Sequence, residues 1–412
     1  MTTRLATVPI DDSAADPHPV RLRSYQSAWL ADYVPLIGAA AVERLAAKAE
    51  PLGGLAVEQI NSTKQGGGVA EILRSLTPML TGLGIRTHWV ALAGSPSFFD
   101  VTKKIHNLLQ GAEGDLTDAE WILYLDTVAE NASIIDIRHD VVFVHDPQVL
   151  PLVRNRANHR RRWIWRNRTV WDRLRPMVEL YDDVVFTLPE YGQPLTPRQH
   201  FVMPAIDPFT IKNQPLAQGD IDTVLAHYGI PRDLPIVTQV SRFDPWKDPF
   251  GVIEAARKAR EEVDFTLVLL GNMATDDPEG ARLYEALVAE ADERTLILPE
   301  GNDQLLVNAI QSTADIVLQK STREGFGLTV TEAMWKGRPV IAGNVGGIRH
   351  QIADGENGLL VNSPDEAAAA IVRLLADPAL ARRLGDAARE TVREKFLFTR
   401  LLEDHLDLLA GA

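Results

Sequence analysis

Short runs of branched apolar residues recur along this chain, each followed by a longer amphipathic stretch, and the alternation is played out twice. A run too short for a helix and apolar at successive positions is buried on both faces, which is the pattern of a parallel strand. Parallel strands cannot be joined by tight turns and need crossovers, which the amphipathic stretches supply. The chain is therefore restricted to an α/β architecture of doubly wound sheets. In the first half, strands are expected at 55–60, 87–92, 141–144, 184–188 and 201–203, with helices near 39–49 and 69–83. In the second half they are expected at 236–240, 266–270, 295–298, 315–319 and 339–342, and the chain from Pro364 onward reads as helix almost throughout. A proline-rich passage over 204–215 separates the halves. The expected organisation is a polar lead-in at 1–20, a first domain at 21–205, a linker at 206–217, a second domain at 218–390 and a final helix at 391–412. A chain of 412 residues also exceeds what one hydrophobic core usually supports.

Two stretches follow predicted strands of the second half: Ser241-Arg242-Phe243-Asp244-Pro245-Trp246-Lys247 and Glu324-Gly325-Phe326-Gly327-Leu328-Thr329-Val330-Thr331-Glu332. Both fall at the carboxyl edge of one sheet, where open α/β folds bind ligands. Arg242 offers a planar fork of donors and Lys247 a compact ammonium, two complementary ways to hold phosphate oxygens. Gly325 and Gly327 let the backbone approach a ligand, and a helix starting near Leu328 aims N–H groups at it. Carboxylates only accept hydrogen bonds, so Glu324 and Glu332 suit sugar hydroxyls and not phosphate. Together the two stretches describe a sugar-nucleotide pocket.

The rest of the composition narrows the alternatives. The formal charge of -14 argues against nucleic acid and anionic membrane as partners, since a bound polyanion needs a basic footprint. The absence of cysteine removes disulfides, thiolate metal sites and cysteine nucleophiles. No apolar run has the length of a membrane span and the N-terminus lacks a signal-peptide core, so a cytoplasmic location is expected by default. No spaced histidine cluster suggests a catalytic zinc site, and no metal ligand is assigned. Asp220-Ile221-Asp222 is an aspartate pair of the kind that holds a metal elsewhere, but at a helix start aspartate caps backbone N–H groups, and that structural role is expected here.

Arg242 and Lys247 with four residues between them, and Glu324 and Glu332 with seven, resemble the signature of retaining glycosyltransferases of the GT-B fold. The stretches Asn61-Ser62-Thr63, Gly66 to Leu73, Val240 to Lys247, Asp276-Asp277-Pro278-Glu279-Gly280, Arg323 to Gly337 and Val345-Gly346-Gly347-Ile348 are more specifically similar to the trehalose glycosyltransferring synthase family, and the similarity runs from about Tyr25 to near the C-terminus. The resemblance implies two Rossmann-like domains facing across a cleft, the first on the acceptor side and the second binding the nucleotide sugar, with the last helix crossing back. It implies transfer of glucose from ADP- or UDP-glucose to free glucose with retention, giving α,α-trehalose, with no tightly bound cofactor and with Mg2+ admitted but not required. Arg242, Lys247, Glu324 and His145 are then the catalytic candidates. Gly67, Gly68, Gly325, Phe326, Gly327, Leu328 and Glu332 are the substrate-binding ones, with Glu324 holding the donor sugar and Glu332 the ribose. A homodimer is suggested by the same analogy.

Some readings stay open at this level. Gly66-Gly67-Gly68 between a strand and a helix is a phosphate loop or only a tight turn, and the resemblance places it opposite the donor phosphates. His145, at a strand end, is satisfied by backbone or is directed at a hexose hydroxyl, as the resemblance implies. The basic, aromatic stretch from His159 to Arg168 contains Trp163-Ile164-Trp165-Arg166, which resembles a segment lining the first domain. The residues that follow usually include His and Asp in the family, where this chain has Arg168 and Val170, so the acceptor is undetermined. A trehalose phosphorylase of the same fold, a sugar-nucleotide epimerase of GT-B type and a sugar-nucleotide-binding module without turnover are the alternatives.

Overall fold

The structure is a computed structural model that describes residues 29–64, 67–109, 113–135, 139–158, 162–166, 171–272 and 278–411. The first sheet is built from β1 (Ala56–Asn61), β2 (Arg86–Ala91), β3 (Val141–His145), β4 (Arg162–Arg166), β5 (Asp183–Phe186) and β6 (Arg198–Phe201). They lie in the order β2-β1-β3-β4-β5-β6, every neighbouring pair parallel. The second sheet holds β7 (Ile236–Arg242), β8 (Thr266–Asn272), β9 (Thr295–Leu298), β10 (Ile316–Gln319), β11 (Val340–Gly343) and β12 (Leu359–Val361). Its order is β12-β11-β10-β7-β8-β9, again parallel throughout.

The strand order locates the crevices. In the second sheet the chain runs outward from β7 through β8 to β9, then returns to β10 on the other side of β7. The loops after β7 and β10 therefore diverge, and the crevice between them lies outside the carboxyl ends of the strands. The first sheet has the same reversal between β1 and β3, which brings the glycine loop after β1 near the turn after β3.

The chain crosses between the domains twice, and the two crossings are paired. Ile206 N–H donates to the Phe396 carbonyl and Phe398 N–H donates to the Ile206 carbonyl, both at 2.9 Å. Arg400 ties the same place by donating to the carbonyls of Met203 at 2.7 Å and Pro204 at 2.9 Å. Beyond the crossing, the helix Phe398–Leu409 buries Leu401, Leu402, Leu406, Leu408 and Leu409 against Leu45, Val57, Leu73 and Leu76 of the first domain. The end of the chain thus completes the core in which its early part begins.

Four expectations change. The segment Arg162–Arg166 is a central strand, with Ile164 fully buried and Arg162 neutralised by Asp183 at 2.6 Å. β6 falls at Arg198–Phe201 and not at 201–203, because Arg198 and His200 both pair with the buried Asp183 on β5, at 3.0 and 2.9 Å, and fix the register. β12 is only three residues long, too short to leave a pattern. The helix Gln218–His227 has Ala217 as its N-cap with no side-chain bond, so Asp220 sits in the first turn without capping it, and Asp222 pairs with Arg232. Residues 1–20, Gly66, His159, Arg160, Arg161, Arg168, Val170, Asp276 and Asp277 lie outside the described residues. No helix among the described residues is long and apolar enough to cross a membrane.

Candidate active site

The first motif is shaped by capping. Asp244 accepts from Trp246 N–H at 2.8 Å and closes the short turn Pro245–Lys247. Asp248 then caps the helix Pro249–Ala259 by accepting from Gly251 N–H at 3.1 Å, in a left-handed conformation. Lys320 at the end of β10 pairs with Asp248, so the cap is held from the neighbouring strand. The buried Gln239 on β7 binds both loops, donating to the Lys247 carbonyl at 3.0 Å and accepting from Lys320 N–H at 2.9 Å. Thr322 N–H donates to the Trp246 carbonyl at 2.8 Å, and the Arg323 guanidinium lies over the Trp246 ring at 5.6 Å. These contacts hold the two motifs as one surface.

On that surface Lys247 and Glu324 meet. The ammonium donates to Glu324 Oε2, while Gly325 N–H donates to Oε1 at 3.0 Å. The side chains are 18% and 11% exposed, so the pair is shielded from bulk water without being sealed off. Arg242 is different: its side chain is 55% exposed and, among the described residues, reaches Asp244 at 3.3 Å.

The helix Leu328–Trp335 begins at Gly327, which adopts the left-handed region at φ 83° and supplies no side-chain cap. Val330 N–H donates to the Gly327 carbonyl at 3.0 Å, so the first-turn N–H groups of Leu328 and Thr329 are the ones left to a ligand or solvent. Across the cleft stands Gly68: a Cβ there would lie 3.3 Å from Leu328 Cδ1. The glycine loop of the first domain and the helix terminus of the second thus face each other at close range. The cleft is also bridged by Tyr191, which donates to the Gly325 carbonyl at 3.4 Å, and by Glu190 with His350 at 2.7 Å. Beneath the loop, Gly346 and Gly347 pack against backbone. A Cβ at Gly346 would fall 1.7 Å from the Glu324 carbonyl oxygen, and one at Gly347 2.5 Å from that of Gly325.

Three candidates sit otherwise than expected. Phe326 turns its ring inward, where it is buried and packed edge-on to Phe396 at 5.7 Å, and its backbone lines the loop. A large aromatic ring beside the core gains more from burial than a loop position offers. His145 is buried at the end of β3, its Nε2 2.6 Å from Oε1 of the buried Gln59 on β1. Glu332 is also buried, and pairs with Lys212 of the linker at 2.8 Å; Lys212 in turn reaches Glu71 of the first domain at 2.5 Å. The two carboxylates of this triad, Glu71 and Glu332, border a cavity at the interdomain seam lined also by Ser75, Asp207, Asn213 and Leu328.

The seam has its own electrostatics. Burial by itself would lower the pKa of Lys212, but the charges of Glu332 and Glu71 outweigh it and the ammonium is held above the ordinary lysine range. Lys336 goes the other way. Burial dominates there, with the Lys212 charge adding to it against the attraction of Glu332 and Glu71, and its pKa is lowered to about 7. Lys212 could not be anticipated from sequence, since a lone lysine in a proline-rich linker carries no pattern. Gln59 and Gln239 are likewise ordinary polar residues within apolar strands, visible only as the unexpected polar members of those runs.

A carboxyl-edge crevice, a cation on one loop and an uncapped helix terminus on the other, set opposite a glycine loop on a second doubly wound domain, define a GT-B glycosyltransferase. The comparisons with known proteins agree. Residues 59–193 match the model described as trehalose synthase, N-terminal domain, and residues 220–391 match glycosyl transferases group 1. A trehalose synthase of Pyrococcus horikoshii is 44% identical over 397 residues, covering 92% of this chain and 95% of the relative. A trehalose phosphorylase of Pleurotus pulmonarius is 29% identical, covering 81% of this chain and 54% of the relative. A solved structure described as trehalose-6-phosphate from E. coli bound with UDP-2-fluoro glucose superposes with a TM-score of 0.71 at 15% identity, over 87% of this chain and 99% of that one. The chain belongs to the trehalose synthase family, and its activity is trehalose-related glycosyl transfer.

Proposed function

We propose that this protein transfers glucose from a nucleoside diphosphate glucose to the anomeric hydroxyl of free glucose, with retention, to give α,α-trehalose. The observation that carries the reading is the contact between Lys247 and Glu324 beside the uncapped start of the Leu328–Trp335 helix. A donor has its most anionic part, the diphosphate, joined directly to its most hydroxylated part, the hexose. A cation and a carboxylate at adjacent positions suit that junction.

In this reading Arg242, Lys247 and the helix amides stabilise the charge that grows on the diphosphate as the bond to C1 lengthens. Gly67, with φ 76°, lets the glycine loop of the first domain turn toward the diphosphate, and Gly68 beside it faces Leu328 across the cleft. The acceptor oxygen forms its bond to C1 on the face the diphosphate leaves. The acceptor proton passes to the departing phosphate oxygen, so the products are trehalose and a nucleoside diphosphate and no protein nucleophile is required. Glu324, relieved of Lys247 by the diphosphate, accepts from hexose hydroxyls and fixes the ring.

Glu332 reaches the ribose in this reading from the edge of the seam cavity, with Lys212 paired to it. His145, buried on Gln59, orients the floor of the acceptor side.

The test is product NMR after incubation with ADP-, UDP- or GDP-glucose, with and without free glucose. The expected result is α,α-trehalose only when both substrates are present, with one nucleoside diphosphate released per trehalose. A reaction that instead requires inorganic phosphate and ignores nucleotide would assign the protein to phosphorolysis.

A further inference from the structure

On the first sheet, away from the cleft, three side chains converge that the glycosyl transfer does not use. Glu58 on β1 is 1% exposed, and each of its carboxylate oxygens faces an imidazole. His88 Nδ1 on β2 lies 2.7 Å from Oε1, and His139 Nδ1, shortly before β3, lies 2.5 Å from Oε2. The two rings are stacked at 5.8 Å with an interplanar angle of 12°, so both Nδ1 atoms are turned to the same carboxylate. All three potential ligand atoms lie within 4.8 Å of one another.

The strand frame brings these residues together. Glu58 is the direct partner of His88 in the β1–β2 ladder, and β1 pairs with β3 on its other side. The three residues therefore approach from β1, from its neighbour β2 and from the entry to its neighbour β3. None is adjacent to another in sequence, which is why the linear pattern offers no histidine cluster.

We propose that Glu58, His88 and His139 form a binding site for a divalent transition metal of the zinc class. Two imidazole nitrogens and one carboxylate oxygen are a donor set for Zn2+, Co2+ or Ni2+, whereas Mg2+ and Ca2+ demand oxygen ligands in larger number. Tetrahedral zinc with bonds of about 2.0–2.2 Å holds its ligand atoms roughly 3.3 Å apart, so each Nδ1 has to open by less than about 1 Å from the carboxylate oxygen it now faces. His88 is 59% exposed on its side chain, which gives an ion an entry path and leaves the remaining coordination position to water. The bound ion clamps the edge strand β2 and the entry to β3 onto β1. Its role is to stabilise the first domain and it takes no part in transfer, so it is independent of the function proposed above.

The test uses the full-length protein without a histidine tag, stripped with a chelating resin and titrated with Co2+, whose visible absorption reports nitrogen and oxygen ligation. The expected result is one saturable equivalent per chain, displaced by Zn2+, with a higher thermal midpoint in Zn2+ and no such rise in Mg2+. His88→Ala should weaken Co2+ binding at least about tenfold, since even loss of a group that only supports a metal ligand costs that much. Glu58→Gln should do the same. His88 is largely exposed, so its variant remains interpretable if the buried substitution does not fold. Absence of a saturable equivalent in the wild type, or undiminished binding in His88→Ala, overturns the proposal and leaves a His–Glu–His cluster that holds no metal.

Discussion

The Lys247 ammonium lies against the Glu324 carboxylate, joining the loop after β7 to the loop after β10 across the topological switch of the second sheet. In the free protein each neutralises the other. A diphosphate arriving at Lys247 competes for that ammonium and leaves Glu324 free to accept from sugar hydroxyls, so ligand binding and exposure of the carboxylate are coupled.

Lys247→Ala and Arg242→Ala should each lower kcat/KM by at least about a hundredfold, the scale for losing a preorganised contact to developing charge. The coupling adds a sharper expectation. The loss in Lys247→Ala with Glu324→Ala should be smaller than the product of the two single losses, because they act as one unit. Steady-state rates of the four proteins decide it, and near-normal rates in both single cation variants would contradict the assignment.

Glu332→Gln should mainly raise the donor KM with turnover kept, since a ribose contact is made in the ground and transition states alike. Its partner predicts something about stability. Lys212→Ala leaves Glu332 and Glu71 facing each other at the seam without the ammonium between them, which should cost about 3 kcal/mol. Urea unfolding measures this, and a loss below about 1 kcal/mol would place the triad with ordinary surface pairs.

Lys336 makes stability depend on alkaline pH. Its folded pKa is lowered to about 7, below that of a lysine in the unfolded chain, which is about 10.4. Between those values the unfolded state binds more protons, so this group makes stability rise with pH from about 7 to about 10. Below pH 7 it is protonated in both states and adds no slope. Lys336→Met should therefore gain most over the wild type at pH 6.5 and progressively less by pH 9.5. Urea midpoints at the two pH values provide the check, and an advantage that grows with pH would contradict the account.

Two glycines of the cleft should respond differently to alanine. At Gly346 the added methyl meets the Glu324 carbonyl at 1.7 Å, and the residue has φ 45°, so the loop carrying the carboxylate must move. At Gly68 the methyl reaches only the end of the flexible Leu328 side chain, at 3.3 Å. Gly346→Ala should lower transfer by at least about tenfold, on the scale at which small displacements of positioning groups are felt, while Gly68→Ala stays within a few-fold of wild type. Equal rates in the two variants, measured with saturating donor, would contradict this.

Much of this was legible in the sequence because it rests on local pattern. The apolar runs expected at 236–240 and 266–270 are buried on both faces and form the central strands Ile236–Arg242 and Thr266–Asn272. Their order then puts Arg242, Lys247, Glu324 and Leu328 along one sheet edge. What was hidden is long-range. β4 looks basic and aromatic because Arg162 is answered by Asp183 on the next strand, and β6 looks polar for the same reason. The partners of His145 and Glu332, namely Gln59 and Lys212, come from other elements, so a motif that names the residue does not reveal what holds it. Phe326 belongs to the glycine-flanked stretch but faces the core, since adjacent residues of one loop need not point the same way.

The most direct measurement is a crystal structure of the protein with an intact or fluorinated nucleoside diphosphate glucose. The account predicts the distal phosphate within hydrogen-bond reach of Lys247 Nζ and of the N–H groups at Leu328, with the hexose hydroxyls on Glu324 and the Lys247–Glu324 contact opened. A sugar nucleotide lodged elsewhere, with Lys247 still on Glu324, would contradict it.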